Sequence, residues 1–375
     1  MDTTTTLEVF LAEEVGAEPV LLAGWEVRSL HHARQERPPL VYLVDKLIPL
    51  PSLTIVYGAP GSLKSMLLSD LCCCVAAGTP WLAPMPGDSV KPGLTLNTTQ
   101  APVLWIDYDN GVRYVDERFD ALSKAHGLSP DDPVYYVSMQ KPKLDASNDE
   151  MVEDLAKLIR RCGAKLVVID NLGLVSGDVD ENSNKMGQVL MNLRWLAETL
   201  QIAIIVVHHQ RKSSGGTSDK SVRKGETLRG HSSIEASLDL ALLVERLSDE
   251  KSVVIIPTKV RRFVSLGDKK ALGAYWTYDH IPGTTELAEA RFFSLEVMTK
   301  EEEAVQGIRH AIIGVLKEQN DLSQKELVDA VRDKIAAKAG SAPGINRIRG
   351  IAKQMAKDGD IVADGKGTKV TYRLL

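Results

Sequence analysis

Residues Leu53 to Leu71, LTIVYGAPGSLKSMLLSDL, set a glycine-bearing loop between a short β-branched run and an apolar, helix-forming stretch, and the loop ends in Lys64-Ser65. A strand that turns through glycines into a helix aims backbone N–H groups and the positive end of the helix dipole at one point, which makes an anion cradle. The pattern is that of a phosphate-binding loop built from Gly58, Ala59, Pro60, Gly61, Ser62, Leu63, Lys64, Ser65 and Met66. In such a loop Lys64 reaches the β- and γ-phosphate oxygens and the Ser65 hydroxyl holds Mg²⁺, so ATP and Mg²⁺ are the expected ligands. One position departs from the usual G-x-x-x-x-G-K-[ST]: Leu63 stands where glycine is expected, and a Cβ there puts the rate of hydrolysis in question.

The chain has 375 residues, more than one typical domain, and a formal net charge of -5. That charge excludes a globally basic nucleic-acid coat but leaves room for a local basic loop or channel. Cys72, Cys73 and Cys74 are consecutive and Cys162 stands alone, which suits neither a disulfide framework nor a zinc site. They read as small apolar packing residues in a reducing compartment. The first residues lack a basic targeting region, and apolar runs such as Ile202 to Val207 are too short to cross a bilayer. A cytoplasmic location without membrane contact is the expectation.

Composition divides the chain into residues 1–40, an N-terminal arm or small helical piece, a core over 41–298, and a separate unit over 302–375. In the arm His31 and His32 lack ligand partners at metal spacing and are expected to be solvated. The core alternates short β-rich runs with longer amphipathic stretches: Leu53–Tyr57, Val103–Asp107, Val134–Val137, Leu166–Asp170, Ile202–Val207, Leu240–Glu245 and Val253–Lys259. The alternation predicts an α/β fold with a sheet largely parallel at its centre, and ligands bind such sheets outside the carboxyl ends of the strands.

Several runs end in polar groups at that edge. LVVID ends in Asp170, four apolar residues and an acid, as a Walker B strand requires. Asp107 and Asp109 end another, and either can be the carboxylate that orients attacking water; their i, i+2 spacing puts both on one face, so periodicity does not choose between them. A third run ends in His208-His209-Gln210, where one of these polar groups is placed to sense the γ-phosphate. Next comes RKSSGGTSDKSVRK, a Gly/Ser-rich loop whose Arg211, Lys212, Lys220, Arg223 and Lys224 suit contact with a single-strand backbone.

Five segments in this order, GAPGSLKS, VLWIDYDNG, LVVIDNLGLVSGDVDENS, IIVVHHQRKS and LRGHSSIEASLDLALLV, resemble the RecA-like ATPase core of RepA-type hexameric replicative helicases and, more distantly, DnaB-type helicases. The resemblance covers roughly residues 41 to 265. It implies a RecA-like P-loop NTPase core in which Lys64 and Ser65 hold phosphate and Mg²⁺, Asp170 is the Walker B acid, Asp109 takes the place of the catalytic glutamate and His209 that of the sensor. Arg229, with Lys259 and Arg261 as further candidates, matches the arginine that reaches into a neighbouring subunit's site. A homo-oligomer, most simply a hexameric ring on single-stranded DNA, follows from the resemblance. Asp109 is one methylene shorter than glutamate, a second departure that makes slow or conditional hydrolysis an expectation.

The last 74 or so residues carry a helix over Glu303–Lys317, a second opened by Ser323 with Glu326 at capping-box spacing, a third from about Gly344 to Lys357, and two short strands flanking Gly365-Lys366-Gly367. This is a winged-helix pattern. Arg347, Arg349, Lys353 and Lys357 line the third helix, with Ile345, Ile348, Ile351 and Met355 left for the core. Such a helix suits DNA, although many winged helices bind protein, including replication partners. The expected activity is an ATP-dependent replicative helicase; the alternative is an ATP-dependent switch, or a recombination or replication mediator, that binds DNA or a partner without unwinding.

Overall fold

The computed structural model describes residues 20–22, 25–87, 90–176, 186–209, 237–261, 271–297, 300–339, 342–365 and 370–374. The chain groups into two compact units, Met1–Tyr42 and Leu43–Leu375. In the first, strands β1 (Val20–Leu22) and β2 (Trp25–Val27) pair antiparallel and are followed by the short helix α1 (Leu30–Arg34). The two histidines differ here: His31 is exposed, but His32 is buried and its Nδ1 accepts the Ser29 N–H at 2.9 Å. His32 completes a capping box with Ser29, so the expectation of a solvated pair fails for it.

After β3 (Val41–Val44) and β4 (Ile48–Leu50), the second unit is organised by a nine-stranded sheet. Its strands are β5 (Ser52–Gly58), β6 (Val103–Asp107), β7 (Val134–Ser138), β8 (Leu166–Asp170), β9 (Ala203–His209), β10 (Leu240–Arg246), β11 (Ser252–Val260), β12 (Leu272–His280) and β13 (Leu287–Leu295). The spatial order is β13-β12-β11-β10-β5-β9-β8-β6-β7. The six strands from β10 to β7 run parallel, and β11, β12 and β13 extend the sheet antiparallel. The β12–β13 hairpin was not among the expected strands.

Helices α2 (Lys64–Ala77), α3 (Val112–Ala125), α4 (Asp149–Cys162) and α5 (Met186–Leu200) carry the crossovers. Side chains alternate across each strand, so one strand feeds two cores. In β8, Leu166 and Val168 join the core that holds α2 and α3, while Val167 and Ile169 join the one that holds α4 and α5. Eleven of the fourteen residues of α2 are buried, which explains its apolar sequence. Cys72, Cys73 and Cys74 lie there as free, buried thiols, and burial pushes the pKa of each upward, as suits packing residues. Asp70 pins this helix: its Oδ1 accepts the Phe292 N–H of β13 at 3.1 Å and lies 2.8 Å from Nε2 of His126 at the end of α3.

Beyond the sheet come α6 (Lys300–Glu318), β14 (Leu322–Ser323), α7 (Gln324–Ala339), α8 (Ile345–Asp358), β15 (Val362–Asp364) and β16 (Thr371–Arg373), with the three strands forming a sheet in the order β14-β16-β15. Residues between Ile308 and Tyr372 form a core of their own. The Ser323–Glu326 capping box is present: Ser323 N–H donates to Glu326 Oε2 at 2.9 Å, and Glu326 N–H to Ser323 Oγ at 3.4 Å. Ile348 and Met355 enter the core and Ile351 packs against it, but Ile345, expected there, is 40% exposed. It sits in the first turn of α8, ahead of the stripe set by Ile348, Ala352 and Met355.

Candidate active site

The parallel strands deliver their carboxyl ends to one edge, and strand order decides what meets there. β9 lies between β5, which leads into the glycine-bearing loop, and β8, which ends in Asp170, with Gly58 in register with His209 and Asp107 in register with Asp170. Loop, carboxylates and histidine therefore meet along one sheet edge, at the ends of β5, β9, β8 and β6, where such sheets bind ligands.

Gly58 permits close packing: a Cβ there would stand 2.3 Å from the Val244 carbonyl oxygen of β10. Gly61 supplies a left-handed turn at φ +75°. Leu63 is itself left-handed, φ 65° and ψ 15°, at the N-cap of α2. That is the backbone a glycine adopts freely and that costs an L-residue roughly 1–2 kcal/mol. Its side chain packs on the core beside α2, which offsets the backbone cost. Leu63→Gly is expected to change the melting temperature little and to tighten ATP binding about threefold or more, because the cradle no longer depends on a strained residue. Calorimetric titration against thermal melting checks this: weaker binding at unchanged stability would mean that the leucine's packing governs the loop.

Lys64 Nζ is buried and donates to Gly58 O at 3.1 Å, Ala59 O at 2.9 Å and Ser62 Oγ at 3.2 Å, so all three of its protons are directed into the loop. Burial pushes its pKa down, while Asp170 and then Asp109 pull it back up. Asp170 is fully buried, and both its oxygens lack a hydrogen-bond partner of normal geometry among the described residues. Burial raises its pKa to about 6; nearby Ser65 opposes the shift, Asp107 adds to it, Arg118 opposes it and Asp109 adds to it. A buried, unpaired carboxylate is costly, and oxygen donors at a phosphate loop are what a hard dication prefers. Asp170 and Ser65 thus fit Mg²⁺.

Asp107 and Asp109, equivalent by periodicity, are not equivalent in the structure. Asp107 is fully buried and its oxygens accept from Asp109 N–H, Asn110 N–H, Asn110 Nδ2 and Trp105 Nε1. Asp109 is exposed, with Oδ2 3.4 Å from His209 Nε2. His209 Nδ1 is buried and has no hydrogen-bond partner among the described residues. Arg118 of α3 is a residue that sequence reasoning missed: it is buried, with Nη1 3.9 Å from Asp107 Oδ2 and its guanidinium 5.7 Å from the Trp105 ring centre. Burial lowers its pKa, and Asp170, Asp107 and Asp109 counter that shift.

Lys259 and Arg261 lie at the opposite sheet edge. Lys259 pairs with Ala241 near the start of β10, and Arg261 Nη1 stands 3.4 Å from Asp239 Oδ1. Asp239 Oδ2 accepts the N–H of Leu53, at the beginning of β5. A strand of this length puts them roughly 20 Å from the loop at its other end, out of reach of their own chain's phosphates. On α8, Arg347, Arg349, Lys353 and Lys357 are all exposed. Arg229, and Arg211, Lys212, Lys220, Arg223 and Lys224 of the basic loop, lie outside the described residues. Among the described residues no helix is long and apolar enough to cross a membrane.

A family model described as AAA domain matches residues 18–215, over half of the chain. The matched span contains the phosphate loop, Asp107, Asp109, Asp170 and His209. No curated protein matches the chain.

Proposed function

We propose a function for a chain that belongs to the AAA-domain family of P-loop ATPases: it is a ring-forming, DNA-acting motor, a RepA-like replicative helicase that hydrolyses ATP at subunit interfaces. The observation that carries the reading is the split of charged groups between the two sheet edges. Lys64, Ser65, Asp170, Asp109 and His209 gather at one edge, whereas Lys259 and Arg261, the latter paired with Asp239 of its own chain, stand at the other, too far from their own loop to reach its phosphates. A site so divided hydrolyses ATP when chains assemble head to tail, an arrangement that forms a ring when the rotation between neighbours closes.

In this mechanism the loop N–H groups and Lys64 bind the triphosphate and counter the charge that grows on its oxygens. Bound Mg²⁺, held by Ser65 and Asp170, would supply further neutralisation of the phosphates. Asp109 orients the attacking water and accepts its proton; His209, bridging from Asp109 towards the γ-phosphate, reports whether that phosphate is present. The partner copy's arginine completes the charge around the transition state. DNA engagement falls to the basic loop after β9 and to α8, read as the third helix of a winged-helix domain.

The test is hydrolysis and unwinding by the purified chain. Single-stranded DNA should stimulate ATP turnover, nucleotide should promote a ring, and forked DNA should be unwound. Mixing Lys64→Ala with Arg261→Ala or Arg229→Ala, each inactive alone, should restore turnover, since some mixed interfaces pair an intact loop with an intact arginine. No recovery on mixing subunits that do exchange would sink the shared site. A second reading, an ATP-dependent switch or mediator with residual hydrolysis, is favoured by left-handed Leu63 and the short Asp109; nucleotide-dependent binding of DNA or partner without unwinding would select it.

A further inference from the structure

We propose that Asp107 is a positioning residue: backed by Arg118, it fixes the turn that presents Asp109 to His209. The inference rests on the reading of this edge as an ATPase site.

The ladder hydrogen bonds of β6 end just past Asp107. Its carbonyl accepts Met139 N–H at 2.9 Å, and Tyr108 N–H still donates to the Asp170 carbonyl at 2.9 Å. The next two N–H groups, of Asp109 and Asn110, are taken up by the Asp107 side chain instead: Oδ1 accepts them at 3.1 Å and 2.7 Å. Oδ2 accepts Asn110 Nδ2 at 3.0 Å and Trp105 Nε1 at 3.3 Å. Four donors fill the capacity of a carboxylate, so Asp107 has no lone pair left with which to accept a proton from water. Its effect on chemistry passes through the backbone it holds, and the residue that leaves that backbone towards His209 is Asp109, Oδ2 3.4 Å from His209 Nε2.

Charge accounts for Arg118. A fully buried carboxylate needs a compensating cation, and Arg118 is the buried one beside it, lying over the Trp105 ring that also donates to Asp107. Arg118 Nε and Nη1 make no hydrogen bond among the described residues. The guanidinium therefore acts chiefly through its charge, at 3.9 Å from Asp107 and within the field of Asp170 and Asp109. Carboxylate, arginine and indole together form a support one layer behind the reacting groups.

A double-mutant comparison decides the role. Asp107→Asn keeps the shape but puts an NH₂ where donors converge, so kcat is expected to fall about 10- to 50-fold while the ATP dissociation constant stays within about threefold. In an Asp109→Ala background the same change should cost less than about twofold more, because the group being positioned is gone. Arg118→Lys, which retains the charge, should keep most of the rate; Arg118→Met should reproduce the kcat-selective loss. Melting temperature and nucleotide affinity monitor folding throughout. Asp107→Asn turning over at the wild-type rate, or a double mutant far slower than Asp109→Ala, would overturn the proposal by showing no role or an independent catalytic one. Equal losses of affinity and rate would overturn it in favour of a general structural role. A wild type that binds but never hydrolyses ATP would overturn the ATPase reading itself, and this role with it.

Discussion

Lys64→Ala is expected to lower ATP turnover by about 10²–10³-fold or more, because it removes the one cation aimed from within the loop at charge developing on the β- and γ-phosphates. The preorganisation is visible in the structure. Nζ is buried and held by Gly58 O, Ala59 O and Ser62 Oγ, so its position is set by the loop, and a phosphate oxygen takes one of its protons by displacing one of these acceptors while the charge stays in place. The loss should fall on kcat and on affinity together, since a full charge serves both ground state and transition state. Binding of DNA or partner through α8 should survive, because that helix belongs to a separate core. Steady-state kinetics, nucleotide titration and a DNA-binding assay on the same preparation check the three statements. A Lys64→Ala protein that hydrolyses within tenfold of wild type would remove the loop from the mechanism.

How much of this was legible in the sequence depended on how local the cause was. The glycine-bearing loop, the strand that ends in Asp170 and the Ser323–Glu326 capping box are written in contiguous residues, and each element lies where its pattern predicts. β13 was not legible: LAEARFFSL contains Ala, Glu, Leu and Arg, all good helix formers, and becomes a strand because it pairs with β12 and fills the core beside α2 with Ala290 and Phe292. Asp107 and Asp109 share a face by periodicity. What separates them is which donors converge on which carboxylate, and one of those groups, Arg118, comes from an amphipathic helix where an arginine ordinarily reads as solvent-facing. His32 looked solvated because the role of its ring in capping depends on Ser29 adopting the N-cap conformation. Contacts such as Asp70 with His126 and Phe292 join residues far apart in the chain, and no spacing rule reaches them.

Asp170→Asn should move stability and activity in opposite directions. Burial holds the folded-state pKa of Asp170 at about 6, above its ordinary value of 3.8. An acid whose pKa is raised on folding favours the folded state fully below its unfolded pKa, and that advantage is lost as pH rises through the window from about 4 to about 6. At pH 7.5 the native protein therefore carries the cost of a buried carboxylate without a hydrogen-bond partner of normal geometry, on the order of 2–3 kcal/mol. Asparagine has no charge to bury, so the variant should melt several degrees higher than wild type at pH 7.5 without Mg²⁺ or nucleotide, and the difference should shrink towards pH 4.5. Turnover should fall about 10²-fold or more and the Mg²⁺ requirement should rise, since a neutral amide holds a hard dication poorly. Melting curves at the two pH values and a Mg²⁺ titration of ATPase rate check both arms. A variant less stable than wild type at pH 7.5 would mean that Asp170 is compensated in the folded chain by a partner stronger than Ser65 or Arg118, and its assignment to the metal would lose its physical ground.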